Sequence, residues 1–159
     1  REMAEASAIT EEMRAAIGKE SEPVTVEVDK TAVRMFARAV GYTDLIYYDE
    51  EYAKSKGYRS LPAPMGFLGH PIFRPDVPSR PAYVMSFKTP FKRILNGGTD
   101  VEYYEPVCAG DVLTSTSKIA DILERTGSMG PMLFIIGETT YKNQEGRVVA
   151  KFRGTLIQY

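Results

Sequence analysis

Asp29-Lys30-Thr31-Ala32-Val33-Arg34-Met35-Phe36-Ala37-Arg38-Ala39-Val40-Gly41 carries a clear helical period. Val33, Phe36, Ala37 and Val40 fall at i, i+3, i+4 and i+7, which places them on one face of an α-helix. Asp29 or Thr31 can accept bonds from the free N–H groups of the first turn, and Gly41 ends the run. Met35 and Ala39 widen the apolar face, so the helix is expected to be deeply buried. Just before it, Val24-Thr25-Val26-Glu27-Val28 alternates as a strand with three valines on one side. Earlier still, Thr10 to Ile17 reads as a short helix, capped by Thr10 and stopped by Gly18, with Glu11 and Glu12 at its positive end. A further helical piece runs from Glu50 to Lys56 and stops at Gly57.

Downstream the pattern changes. Leu61 to Pro81 holds prolines at 62, 64, 71, 75, 78 and 81, each removing an N–H donor and fixing φ. An irregular wrapping segment is expected there, with at most a short helix around Phe67. Met65, Phe67, Leu68, Ile72 and Phe73 make it too apolar for a linker, so it should pack on the body. The remainder is β-rich. Expected strands are Tyr83–Phe87, Thr99–Tyr104, Val112–Leu123, Met132–Tyr141 and Arg147–Tyr159. Lys142-Asn143-Gln144-Glu145-Gly146 joins the last two as a hairpin, with Gly146 free to take positive φ. One buried helix with four or five antiparallel strands points to the α+β class, a curved sheet around the helix.

At 159 residues the chain fits one domain over 1–159, with residues 1–8 read as a disordered or processing remnant. Lys plus Arg is 20 and Asp plus Glu is 21, a net charge of −1 that gives no general pull toward nucleic acid or anionic membrane. No apolar run approaches the roughly 18–20 residues of a membrane span. With no signal pattern and a free cysteine, a cytoplasmic location is expected. Cys108 is the single cysteine and His70 the single histidine, which excludes an intrachain disulfide and a metal centre of several Cys or His ligands. Histidine-dependent acid–base chemistry must use His70 or a histidine of another chain.

The stretch Phe36 to Tyr47, then Asp49-Glu50-Glu51-Tyr52-Ala53 and Pro62-Ala63-Pro64, resembles the active-site segment of MaoC-like, R-specific enoyl-CoA hydratases. Asn96-Gly97-Gly98, Tyr103-Tyr104-Glu105-Pro106-Val107, Ala109-Gly110-Asp111-Val112-Leu113 and Tyr141 to Gly146 resemble the N-terminal dehydratase half of the same family. The resemblance implies a hot-dog fold, an antiparallel sheet wrapped around one long central helix. It also implies an enoyl-CoA hydratase or 3-hydroxyacyl dehydratase role in fatty-acid or other acyl-CoA metabolism, steroid side chains included. A coenzyme A thioester enters as substrate and no cofactor is needed.

The family motif reads Gly, Asp, any residue, Asn, Pro, an aliphatic residue, His, then five residues and a small one. Gly41, Ile46 and Ala53 match it, but Tyr42 stands at the catalytic Asp, Asp44 at the Asn, Leu45 at the Pro and Tyr47 at the catalytic His. Hydration needs an acid and a base that work near neutral pH, and an ordinary tyrosine titrates near ~10. No catalytic residue is therefore assigned. In the family, some enzymes pair a dyad-bearing hot-dog half with a half that has lost the dyad and helps to form the acyl cavity. This chain resembles the second kind, which implies a dimer or higher oligomer with a dyad-bearing hot-dog subunit.

Several residues admit two readings. Asp44 is either a surviving base or a cap for the loop after the helix. His70 is either a catalytic group in a self-sufficient homo-oligomer or a loop or interface histidine. Tyr42 and Tyr47 either line a ligand tunnel or simply pack. Met65 and Phe67 belong to the segment expected to shape the tunnel entrance. Lys88, Lys92 and Arg93, with Arg80 before them, either meet coenzyme A phosphates or form a solvated basic edge. Gly97 and Gly98 either present N–H groups to a thioester carbonyl or mark a turn or bulge. Cys108, with no histidine nearby, reads as structural. The third functional reading is a non-catalytic acyl-CoA or lipid-binding module or scaffold domain.

Overall fold

Alternating burial along the three longest strands sets the architecture. The computed structural model describes residues 7–76 and 87–159. Helix α1 spans Glu11–Ala16, strand β1 Val24–Glu27, helix α2 Lys30–Ala39, and a 3-10 turn Leu45–Tyr47. Helix α3 follows over Glu50–Ser55, then β2 over His70–Pro71, β3 over Ile94–Tyr103, β4 over Val112–Gly127, β5 over Gly130–Lys142 and β6 over Val148–Gln158. These strands form one antiparallel sheet in the order β2-β1-β4-β5-β6-β3.

One face of the sheet is the core face. Leu113, Ser115, Ser117 and Ile119 of β4, and Leu133, Ile135 and Thr139 of β5, are all buried on it. Ser117 and Thr139 sit directly opposite and share a buried hydroxyl–hydroxyl bond of 2.7 Å, so their polarity is satisfied within the sheet. Two apolar clusters cover this face. Val33 of α2 and Ala53 of α3 join Leu61, Leu68, Val107, Leu113 and Ala150 in one. Met13 and Ala16 of α1 join Phe87, Ile119, Ile122, Leu133 and Ile135 in the other.

The helix signals are realised where the sequence places them. Thr10 caps α1, Asp29 caps α2 by accepting from the Ala32 N–H at 2.9 Å, and Asp49 caps α3. The expected depth of α2 is not. It is ten residues long and buries Val33 and Ala37, while Met35 is 68% exposed and Val40 48%. Phe36 is half-buried against the ring of Phe67, 5.3 Å away. The sheet and wrapping segment cover one stripe of the helix and leave Met35 and Val40 outside it. A long, deeply buried central helix is thus not formed by these residues alone.

Two further regions differ from expectation, while the wrapping segment is irregular as its prolines predict. β3 begins at Ile94 rather than Thr99, because the ladder to β6 absorbs Asn96-Gly97-Gly98 as a bulge, with Gly98 at φ 128. β4 and β5 run on to Gly127 and Gly130, leaving only Ser128 and Met129 as the hairpin loop. The wrapping segment has no helix at Phe67. It makes a turn there (Phe67 N–H to Pro64 O, 3.0 Å) and the two-residue strand β2 on β1. The expected strand Tyr83–Phe87 lies outside the described residues except for Phe87, which is buried. Of the first eight residues, Ser7 and Ala8 are fixed to the Glu124 carboxylate. Among the described residues no helix is long and apolar enough to cross a membrane.

Candidate functional site

Two segments that are distant in sequence are zipped together beside the motif loop. The Ala63 N–H donates to Val107 O at 2.7 Å, and the Ala109 N–H donates to Leu61 O at 2.8 Å. Their junction and the end of β3 border an open cavity of about 410 Å³. Tyr47, Tyr58, Met65, Tyr103, Tyr104 and Glu105 line it with Pro62, Ala63, Pro106 and Val107. The lining residues are mainly apolar and aromatic. The Tyr103 hydroxyl accepts from the Gly66 N–H at 2.7 Å, the Tyr104 hydroxyl donates to the Glu102 carboxylate at 2.5 Å, and Glu105 pairs with Arg147 at 3.0 Å. That lining suits a largely hydrocarbon ligand.

Tyr47, at the motif histidine position, faces this cavity. Burial, then the neighbouring Tyr42 and Tyr58 and the Asp44 carboxylate, push its phenol above the ordinary value of 10.0. At neutral pH it is a protonated hydrogen-bond donor and not a base. Tyr42 does not line the cavity. Its ring packs on Tyr47 at 5.4 Å, and its carbonyl accepts from the Tyr48 hydroxyl. Asp44 caps the 3-10 turn, its Oδ1 accepting from the Ile46 N–H at 3.0 Å. It lies outside the cavity lining, which matches the capping reading.

The other candidates are scattered. Met65 is 69% exposed at the cavity mouth, whereas Phe67 packs inward on Phe36 and the first apolar cluster. Lys88, Lys92 and Arg93 are exposed, and the Arg93 guanidinium lies over the Tyr159 ring at 5.8 Å. Arg80 lies outside the described residues. The three described cations precede Ile94 while the cavity takes Tyr103 at the other end of β3, roughly 30 Å away at strand rise. Gly97 and Gly98 form the β3 bulge. The Gly98 N–H donates to Asn96 Oδ1 at 3.0 Å, and a Cβ on Gly97 would stand 3.0 Å from Ile157. Within one chain, the phosphate and carbonyl candidates do not meet the cavity.

His70 is engaged elsewhere. Its Nε2 donates to Asp29 Oδ2 at 2.6 Å, and its ring stacks on Phe73. The Asp29 bond raises the imidazole pKa, while the Ala32 N–H and His70 hold Asp29 below the usual carboxylate range. The pair therefore ties β2 to the cap of α2, outside the cavity. Cys108 is buried, and burial pushes its thiol up, which agrees with a structural role.

Tyr58, Tyr103, Tyr104 and Glu105 are cavity residues that residue-by-residue reading does not single out. Tyr103 to Val107 and Pro62-Ala63 do carry the family resemblance, and that shared pattern is the only sequence signal for them. Their convergence depends on backbone pairing across more than forty residues, which has no local period.

A family model described as the FAS1-like, dehydratase domain region matches residues 15–152. The chain belongs to this dehydratase-region family. Relatives include a UPF0336 protein of Streptomyces avermitilis, 35% identical over 104 residues, or 64% of this chain and 67% of that one. Another, from Thermobifida fusca, is 30% identical over 114 residues, 67% of this chain and 68% of that one. Among solved structures, the HadBC (3R-hydroxyacyl-ACP dehydratase) complex of Mycobacterium tuberculosis matches with a TM-score of 0.69 at 21% identity, over 89% of this chain and 96% of that one. The ChsH1-ChsH2 complex of Mycobacterium tuberculosis matches at 0.66 with 16% identity, over 88% and 84%. A MaoC-like dehydratase matches at 0.71 with 19% identity over 91% of this chain, which covers 42% of its own length. This dehydratase-region chain therefore has the hot-dog fold, and MaoC-like dehydratases are its structural neighbours.

Proposed function

We propose that this chain is the acyl-binding half of a heteromeric enoyl-CoA hydratase or 3-hydroxyacyl dehydratase, and that a hot-dog partner supplies the Asp–His dyad. One observation carries the reading: Tyr47 occupies the dyad histidine's position, lines the cavity and is held protonated by its surroundings. It can donate a hydrogen bond to an acyl thioester but cannot take a proton at neutral pH. His70 and Asp44 are both occupied outside the cavity.

The sheet edge supports a partner. β3 ends the strand order and is exposed along nearly its whole length, with Ile94 58% and Leu95 45% exposed. A ten-residue strand with an outer edge unpaired among the described residues is a ready site for a second strand. Antiparallel pairing with a partner's corresponding edge brings the partner's opposite strand end beside this cavity. The separation between cavity and basic residues within one chain is then bridged across the pair. The neighbouring HadBC and ChsH1-ChsH2 structures are complexes of two different chains, which agrees with this arrangement.

The test is turnover of crotonyl-CoA and longer enoyl-CoAs by the purified chain, alone and with a hot-dog protein that carries an intact dyad. Hydration appearing only in the mixture, and surviving Tyr47→Phe with less than about a tenfold loss in kcat/KM, is expected. Full activity of the chain alone, abolished by Asp44→Asn or His70→Gln, overturns the proposal in favour of a self-sufficient enzyme. Thioester binding without hydration in any mixture overturns it in favour of a binding module.

A further inference from the structure

The face of the sheet turned away from the helices is patterned. In the β-ladder, Lys118 of β4, Glu138 of β5, Arg153 of β6 and Asp100 of β3 are direct cross-strand partners, so their side chains stand in one row. Their charges alternate along that row. Lys118 reaches Glu138 at 3.6 Å, and among the described residues no ion pair involves Arg153 or Asp100. Further along the same strands, Leu123, Phe134, Ile157 and Leu95 form a second row, again by direct pairing. All four are apolar, none belongs to either buried cluster, and Leu95 is 45% exposed. Ile136 and Thr155 pair between the two rows. A face that serves only as a solvated surface has no use for an apolar row across four strands.

The order of the two rows is self-complementary. A two-fold axis parallel to the strands and midway between β5 and β6 lays β5 on the β6 of a second copy and β4 on its β3. The charge row then meets its own reverse: Glu138 faces Arg153 and Lys118 faces Asp100, each twice. The apolar row meets its reverse as well, Phe134 on Ile157 and Leu123 on Leu95. Aligned sheets pack face to face in this way at a spacing of about 10 Å. We infer that this face is an isologous interface that binds a second copy of the chain, separate from the β3 edge. The occupant follows from the charge order, because a partner of other sequence has no reason to present the same row reversed. The inference does not depend on the proposed hydratase role.

Charge reversal with mixing tests it, read by sedimentation equilibrium of the full chain. Glu138→Arg sets an arginine against Arg153 of the second copy, and Arg153→Glu sets a glutamate against Glu138. Each variant alone should self-associate roughly tenfold more weakly than the parent, or worse. Mixed one to one, the two should associate as the parent does. The arginine introduced in one chain then faces the glutamate introduced in the other, and the native Arg153 of the first faces the native Glu138 of the second. Mixing leaves each chain's internal neighbours unchanged, so recovery on mixing reports contact between copies. Pairing through the β3 edge uses backbone groups and is indifferent to either reversal. If a reversal does not fold by circular dichroism, Ile157→Lys replaces it and should weaken self-association at least as much. A parent that is monomeric throughout, single variants that associate like the parent, or a mixture that fails to recover each overturns the inference. Turnover measurements are not involved, so failure here is distinct from failure of the hydratase reading.

Discussion

Asp111 is the most constrained charge in the described structure. It is 2% exposed, and four bonds meet its carboxylate. Arg59 donates at 2.8 and 2.9 Å, the Cys108 N–H at 2.9 Å and the Gln144 amide at 3.2 Å. Burial alone would raise its pKa, and these donors more than offset that, so it is held below the ordinary value of 3.8. A depressed folded pKa contributes stability that is present above the unfolded pKa and lost as pH falls through the folded one. Arg59→Ala leaves a buried carboxylate with its main cation gone. A loss of about 3 kcal/mol at neutral pH is expected from chemical denaturation, together with acid unfolding that begins at higher pH. Arg59→Lys should recover only part of this, because a single ammonium cannot make both bonds. At this scale the sequence was half readable. The spacing of Gly41, Ile46 and Ala53 located the motif and exposed its missing dyad. Nothing in it signalled that Arg59 and Asp111, 52 positions apart, would meet, since no local pattern links them.

The elements follow local chemistry where local chemistry is strong. Thr10, Asp29 and Asp49 start helices because each offers an oxygen to a free N–H, and alternation marks β4 to β6. The failures are tertiary. Gly97-Gly98 offer a turn or a bulge, and the ladder from Leu95 to Tyr103 selects the bulge, which local sequence could not decide. α2 is less buried than its pattern predicts, because helical period shows which residues share a face and not how much of that face the chain can cover. The wrapping segment carries two predictions. Gly69 has φ 88, and a Cβ there would stand 2.6 Å from the Glu27 carbonyl oxygen. Gly69→Ala should therefore cost about 2–4 kcal/mol and loosen β2 from β1, seen as faster amide exchange at Glu27, whose backbone faces β2. His70→Gln should act through pH. The raised imidazole contributes stability fully below about pH 6.5, and this is lost as pH rises through the folded pKa. Asp29, depressed, contributes above about pH 4 and loses its share below that. The tie is thus strongest from about pH 4 to 6.5. The parent's melting temperature should decline relative to His70→Gln above that window, and equal curves would refute the assignment.

For the whole molecule, the question is which surfaces are finished. Composition showed that one histidine cannot complete a multi-ligand site, and the fold places that histidine away from the cavity, at the cap of α2. The cavity residues come from the motif loop, the wrapping segment and the end of β3, and among the described residues β3 has a neighbour on one side only. Half of the backbone amides in a strand paired on one side point outward, free of a ladder bond. Amide exchange along Ile94 to Tyr103 therefore reports assembly directly. In the isolated chain at low concentration, alternate amides of β3 should exchange quickly, while those of β5, paired on both sides, remain protected. Adding a dyad-bearing hot-dog partner should protect the fast set and leave β5 unchanged, in parallel with the appearance of hydration. If β3 is protected throughout in the isolated chain and protection falls on dilution, its edge is paired with a second copy. The cavity would then face a second copy of the chain, and the dyad would be missing from both halves.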